Sequence, residues 1–264
     1  MFRNIALKTI FNLRWQLLSW TISIIFVSFI TMAFFNSFNQ EGIDEIVNSV
    51  PESLQSLVGD VADFKTIPGY IGQQIFGPNL VILTIAMSIM VFIGVSASEE
   101  DSKRLQSLLS LPVSRTSVYF QKLIALVFFV AVVCIGIAIG IYLALPLIEK
   151  SADFNRIVES VFAAWLMNIA YGLVAFAAAM AIGKKGLVIG LSSGYAALSF
   201  IVSSLAPAVK ELQVVDKLSI FHYYNNPQIM QHGLNAHHIY ILLAIIAFLT
   251  IIGWLGFIRR DIQT

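Results

Sequence analysis

The acidic, basic and histidine residues of this chain lie outside its long apolar runs, and the densest group is residues 98–122, SEEDSKRLQSLLSLPVSRTSVYFQK. Ser98 stands where an N-cap would stand, and Glu99, Glu100 and Asp101 follow it as first-turn acids. That is helix-capping chemistry rather than catalysis. Leu105, Leu108 and Leu109 then recur at helical spacing until Leu111 and Pro112 stop the turn, so the spacing predicts one short amphipathic helix. Four histidines, His222, His232, His237 and His238, raise metal binding, but their spacings match no zinc motif and no HExxH occurs. Cys134 is the single cysteine and has no partner for a disulfide or a metal pair. Glu41, Asp44, Glu45, Glu52, Asp60 and Asp63 lack the spacing of a calcium loop and read as a solvated face. No GxxxxGK[ST] phosphate loop and no GxSxG is present, so the sequence offers no catalytic group, no metal site and no nucleotide site of its own.

The elements that must position these residues are apolar and long. With 58% hydrophobic and 12% charged residues and a mean hydropathy of +0.84, 264 residues hold too little polar surface to cover a soluble domain. A spanning helix needs about 20 apolar residues. Six stretches approach or exceed that length, 15–40, 66–98, 123–148, 160–183, 186–209 and 239–258. The fold class is therefore an all-α integral membrane protein with six transmembrane helices, read as a single membrane domain over 1–264. Residues 1–14 suit a helix lying at the inner interface. The outer segments 36–67 and 207–238 suit short interfacial helices, with Tyr223 and Tyr224 in the aromatic belt. A turn before Leu80 is expected from Gly77-Pro78.

Charge sets the orientation. With the N-terminus cytoplasmic, the inner segments hold 11 Lys and Arg and the outer ones 5, which places both termini and residues 98–122 in the cytoplasm of a cell-membrane protein. The basic residues form no face with stacking aromatics, so nucleic acid is excluded as a partner. No Asp, Glu, Lys, Arg or His falls inside the six stretches, which argues against an ion-coupled secondary transporter, and the low charge favours an amphipathic, drug-like or lipid-like cargo over a small ion. Gly136-x-x-x-Gly140 and Gly186-x-x-x-Gly190-x-x-x-Gly194 are small-residue stripes that let a neighbouring helix approach. The second reads as packing within the chain ahead of contact between subunits.

Residues 99–122 resemble the cytoplasmic loop of type-2 exporter permeases of the ATP-binding cassette (ABC) family, close to E-E-x-x-G-T-L-E-x-L-L-x-x-P-V-S-R with a Lys before the third span. The chain supplies Glu99, Glu100, Leu105, Leu108, Leu109, Pro112, Val113, Ser114, Arg115 and Lys122, and departs from it at Lys103, Arg104 and Gln106. The ending FIRRDI is similar to the family's F-x-R-R-D signature, and Gly69-Tyr70-Ile71-Gly72 resembles a segment of some members. The resemblance implies a permease subunit that pairs with a second permease copy or paralogue in the membrane lipid and with two cytoplasmic ABC ATPase subunits. ATP and magnesium would then sit on the ATPase and no cofactor on this chain. Residues 98–122 would form the coupling helix, with Leu105, Leu108, Leu109, Pro112 and Arg115 at the ATPase and Glu99, Glu100 and Asp101 meeting its basic groups. A path between two copies would draw on the second and fifth spans, with Ser88, Ser192, Ser193 and Tyr195 as candidates. The alternatives are an ion-coupled carrier and a membrane scaffold or sensor that transports nothing.

Overall fold

The computed structural model describes residues 4–38, 66–110, 112–224 and 226–260, and every regular element among them is helical. Six long helices organise the chain: α1 (Ile5–Ala33), α2 (Pro78–Val95), α3 (Arg115–Ala144), α4 (Phe154–Ile182), α5 (Lys185–Leu205) and α6 (Ala236–Arg259). Each belongs to a stretch long and apolar enough to cross a membrane. Even the shortest, the 18-residue α2, rises about 27 Å, close to the hydrocarbon thickness of a bilayer. Four start on side-chain caps: Asn4, Ser114, Asp153 and Asn235 accept the backbone N–H of Ala6, Ser117, Asn155 and His237. α4 stops at Gly183 in the left-handed region, φ 76°.

Two expectations change, for residues 5–14 and for Tyr224. Residues 5–14 are not a separate interfacial helix; they run into α1 as one 29-residue helix, because no Gly or Pro breaks 5–33. The turn before Leu80 is built from a helical turn, Ile67–Tyr70, and a π-helical turn, Ile71–Ile75, ahead of Gly77. A Cβ on Gly77 would lie 1.7 Å from the Gln73 carbonyl oxygen, so only glycine fits this elbow. Residues 212–232 form three short helices, Leu212–Asp216, Phe221–Tyr223 and Asn226–His232. Tyr224 turns inward and donates to the Phe76 carbonyl at 3.2 Å, which removes it from the expected belt. Most of the outer segment 36–67, including Ile43, Ile46, Val47, Val50, Leu54 and Leu57, lies outside the described residues.

α4 is the hub. It packs against α2, α3, α5 and α6 and buries 17 of its 29 residues. Small residues set the approach of α4 to α2 and to α6. A Cβ on Gly172 would meet Ser88 Oγ at 2.6 Å, and one on Gly253 would meet the Ala177 Cα at 2.9 Å. α1 lies chiefly along α3, where a Cβ on Gly140 would come within 2.5 Å of the Ile25 carbonyl oxygen. The stripe 136–140 is thus a contact inside the chain. The stripe on α5 is not, among the described residues: a Cβ on Gly186, Gly190 or Gly194 would meet none of their atoms within 4 Å. α5 buries only Val188, Ser192 and Ser199.

Candidate functional site

The charged loop is at the end of the bundle where Lys122, Lys184, Lys185, Arg259 and Arg260 gather. α2 ends at Val95, and Ser96 takes an irregular conformation, φ −118° and ψ −92°. Its hydroxyl turns back to the Phe92 carbonyl at 2.6 Å, so it caps nothing ahead of it. The expected single helix is two. Ala97–Asp101 and Arg104–Leu109 are separated by Lys103 in the left-handed region, φ 59°. Ser98 lies inside the first helix and is not its N-cap. Lys103 occupies the position where the resembling loops carry glycine, the residue that takes this conformation without strain.

Adjacent acids on a helix point about 100° apart, and here they reach different walls. Glu99 accepts from Lys122 Nζ at 2.5 Å, and the same ammonium donates to the Val95 carbonyl at 2.8 Å. Lys122 is 1% exposed. Glu100 forms an ion pair with Arg260, whose other guanidinium nitrogen donates to the Ala179 carbonyl at 3.0 Å. Both acids therefore have basic partners inside the chain while keeping part of their surface exposed. Asp101 is exposed.

The leucines divide in the same way. Leu105, expected to insert into a partner, is 1% exposed and packs into the core of this chain. Leu108 is half-buried against the core, and the side chain of Leu109 lies outside the described residues. Pro112 is exposed. Arg115 reaches the end of α6, where its guanidinium donates to the carbonyls of Phe257, Ile258 and Arg260 at 3.3, 3.4 and 2.6 Å. Carbonyls of a last helical turn need such donors, so Arg115 works inside the chain as a cap. The sequence reading missed Lys122, Gly183 and Arg260 as parts of this network. A lysine at the edge of an apolar run and an arginine in FIRRDI were the available signals.

The path candidates are dispersed. Ser88 is buried between α2 and α4 and donates to the Asn168 carbonyl at 2.7 Å. Ser192 is buried and bonds back to Val188 at 2.7 Å, Ser193 is exposed on α5, and Tyr195 donates to the Leu218 carbonyl at 2.9 Å. Between α3 and α4 an open groove is lined by Leu123, Ile124, Val127, Phe128, Ala131 and Trp165. The Trp165 indole N–H donates to the Val127 carbonyl at 3.2 Å.

At the other end of the bundle Asp216 is buried and holds two partners. Ser203 Oγ donates to one carboxylate oxygen at 2.5 Å, and His222 Nδ1 lies 2.6 Å from the other. The serine faces the acid and not the imidazole, so the trio lacks the order that activates a nucleophile. His222, His237 and His238 stand near one another, yet among the described residues no three His, Cys, Asp or Glu side chains are grouped to hold a metal ion. The cluster reads as a fastening of 212–223 onto α5.

The chain has no match among curated proteins. A family model described as "Multidrug efflux system permease Rv1217c, C-terminal domain" matches residues 7–258, a stretch that takes in all six long helices but the first two residues of α1 and the last of α6. With almost the whole chain matched, and with a loop that resembles those of ABC permeases, the chain belongs to this family of membrane permeases.

Proposed function

We propose that the chain is the membrane-spanning subunit of an ABC-type exporter that moves amphipathic, drug-like compounds out of the cell on ATP hydrolysed by a separate subunit. The observation that carries this reading is the loop 97–112. It projects Asp101, Lys103, Arg104 and Pro112 outward beside a half-buried Leu108, while Leu105, Glu99 and Glu100 hold its inner side against the bundle. A loop pinned on one side and exposed on the other can accept a push and pass it on as a rigid body. The excess of Lys and Arg at this end supports its placement in the cytoplasm, with both termini. ATP and magnesium belong on the ATPase, since the chain has no phosphate loop. The open stripe of α5 supports a second permease copy or paralogue, and the cargo name of the family supports a drug-like substrate. An ion-coupled carrier finds less support, because buried Lys122 sits near one end of its helix and already has Glu99.

The test is co-purification of the tagged chain in mild detergent. A Walker-containing ATPase is expected with the unaltered chain and lost with Leu108→Asp. Undiminished recovery with that variant would overturn the assignment of the loop.

A further inference from the structure

Arg260 joins three separate parts of the chain. One guanidinium nitrogen pairs with Glu100 of the helix Ala97–Asp101, and another donates to the Ala179 carbonyl, three residues before the end of α4. Its own backbone N–H closes the last turn of α6 on the Gly256 carbonyl at 3.1 Å, and its carbonyl accepts from Arg115 at 2.6 Å. The site is shaped for this group. Gly183 has φ 76°, and a Cβ there would lie 2.5 Å from Arg260 Nη1 and 2.7 Å from Glu100 Oε1. Any larger residue would strain the backbone and push the ion pair off the end of α4.

The neighbouring acid makes a different attachment. Glu99 and Lys122 tie the same short helix to α3 and, through the Val95 carbonyl, to the end of α2. The two acids therefore divide the helix's attachments between two walls, α2 with α3 and α4 with α6. The second wall contains the hub, since α4 is the helix that packs against α2, α3, α5 and α6. Irregular Ser96 and left-handed Lys103 flank the short helix, so its backbone alone does not fix it to either wall.

We propose that Arg260 is a positioning residue: seated over Gly183, it locks the helix Ala97–Asp101 to α4 and α6, so that displacement of the loop is delivered to the hub helix. The part of this that concerns transport rests on the reading of the loop as the ATPase contact; the mechanical lock does not.

The experiment has two arms. In the first, the chain is placed in lipid nanodiscs without any ATPase, with Cys134→Ala and spin labels at Ser102→Cys and Lys185→Cys, two exposed positions on the loop and on α5. The distance distribution is expected to be narrow in this background and with Arg259→Gln. It broadens with Arg260→Gln and with the milder Glu100→Gln, and narrows again with Arg260→Lys. An unchanged distribution in both Arg260→Gln and Glu100→Gln overturns the lock. In the second arm the chain is co-reconstituted with its ATPase, and the ethidium moved per ATP hydrolysed is measured. Arg260→Gln is expected to lower that ratio about fivefold or more while ATP is still hydrolysed, and an unchanged ratio overturns the transmission role. Because the first arm needs no partner, it decides the lock even if no ATPase binds the unaltered chain and the reading of the loop falls.

Discussion

Glu99 and Lys122 form an ion pair whose two halves differ in access to water, and that difference predicts an asymmetry. Lys122 is 1% exposed while Glu99 is 24% exposed, so only the acid can recover water if its partner is removed. In Glu99→Met the ammonium keeps a single neutral acceptor, the Val95 carbonyl at 2.8 Å, with no counter-charge. Stranding a buried charge in this way costs about 3–5 kcal/mol. In Lys122→Met the carboxylate turns to solvent, and the main loss is the donor to a buried carbonyl, about 1–3 kcal/mol. The double variant carries no stranded charge and should resemble Lys122→Met, which makes it more stable than Glu99→Met alone by about 2 kcal/mol. Unfolding of the four proteins in the same mild micelles, followed by helical circular dichroism, measures the cycle. A larger loss from Lys122→Met than from Glu99→Met, or a double variant whose loss equals the sum of the singles, would refute the claim that burial of the ammonium governs this site.

Other outcomes follow from the same geometry. Lys103→Gly removes a left-handed side-chain clash at φ 59° and should raise stability by about 0.5–1 kcal/mol after the glycine's unfolded-state entropy is counted; a lower unfolding midpoint would contradict it. Gly140→Leu, placed 2.5 Å from the Ile25 carbonyl oxygen, should separate α1 from α3 at a cost of about 3 kcal/mol. Gly190→Leu should leave the isolated chain within about 0.5 kcal/mol of the parent and weaken cross-linking between chains in membranes; undiminished cross-linking would remove α5 from the proposed contact.

The spans were legible because a continuous apolar run of bilayer length has few other uses, and all six appear as helices. The partners of the charged residues were not. Glu100 and Arg260 are 160 positions apart, and nothing in their local pattern says that α4 and α6 bring them together over Gly183. The same limit explains the leucines: Leu105 and Leu108 share one periodicity, but which of them turns to the core depends on where Lys103 breaks the helix. It also explains the glycine stripes, since 136–140 and 186–194 have the same spacing and only the first is filled by a neighbour within the chain. Local chemistry marks where a break or an approach is permitted. The long-range packing decides whether it is used.

The bareness of α5 has a consequence for how such a chain diversifies. α4 is constrained by neighbours on several sides, so a larger side chain at Gly172 or Ala177 would disturb the protein's own interior. α5 buries Val188, Ser192 and Ser199 and holds the segment 212–223 through Tyr195, Phe200 and Ser203, while exposed positions such as Leu187, Ile189, Gly190, Leu191, Leu198 and Ile201 are released from that constraint. Mutations can accumulate there without lowering the yield of folded chain. Two duplicated copies of such a sequence could drift apart along α5, each coming to prefer its own kind or the other, while the shared interior keeps both foldable.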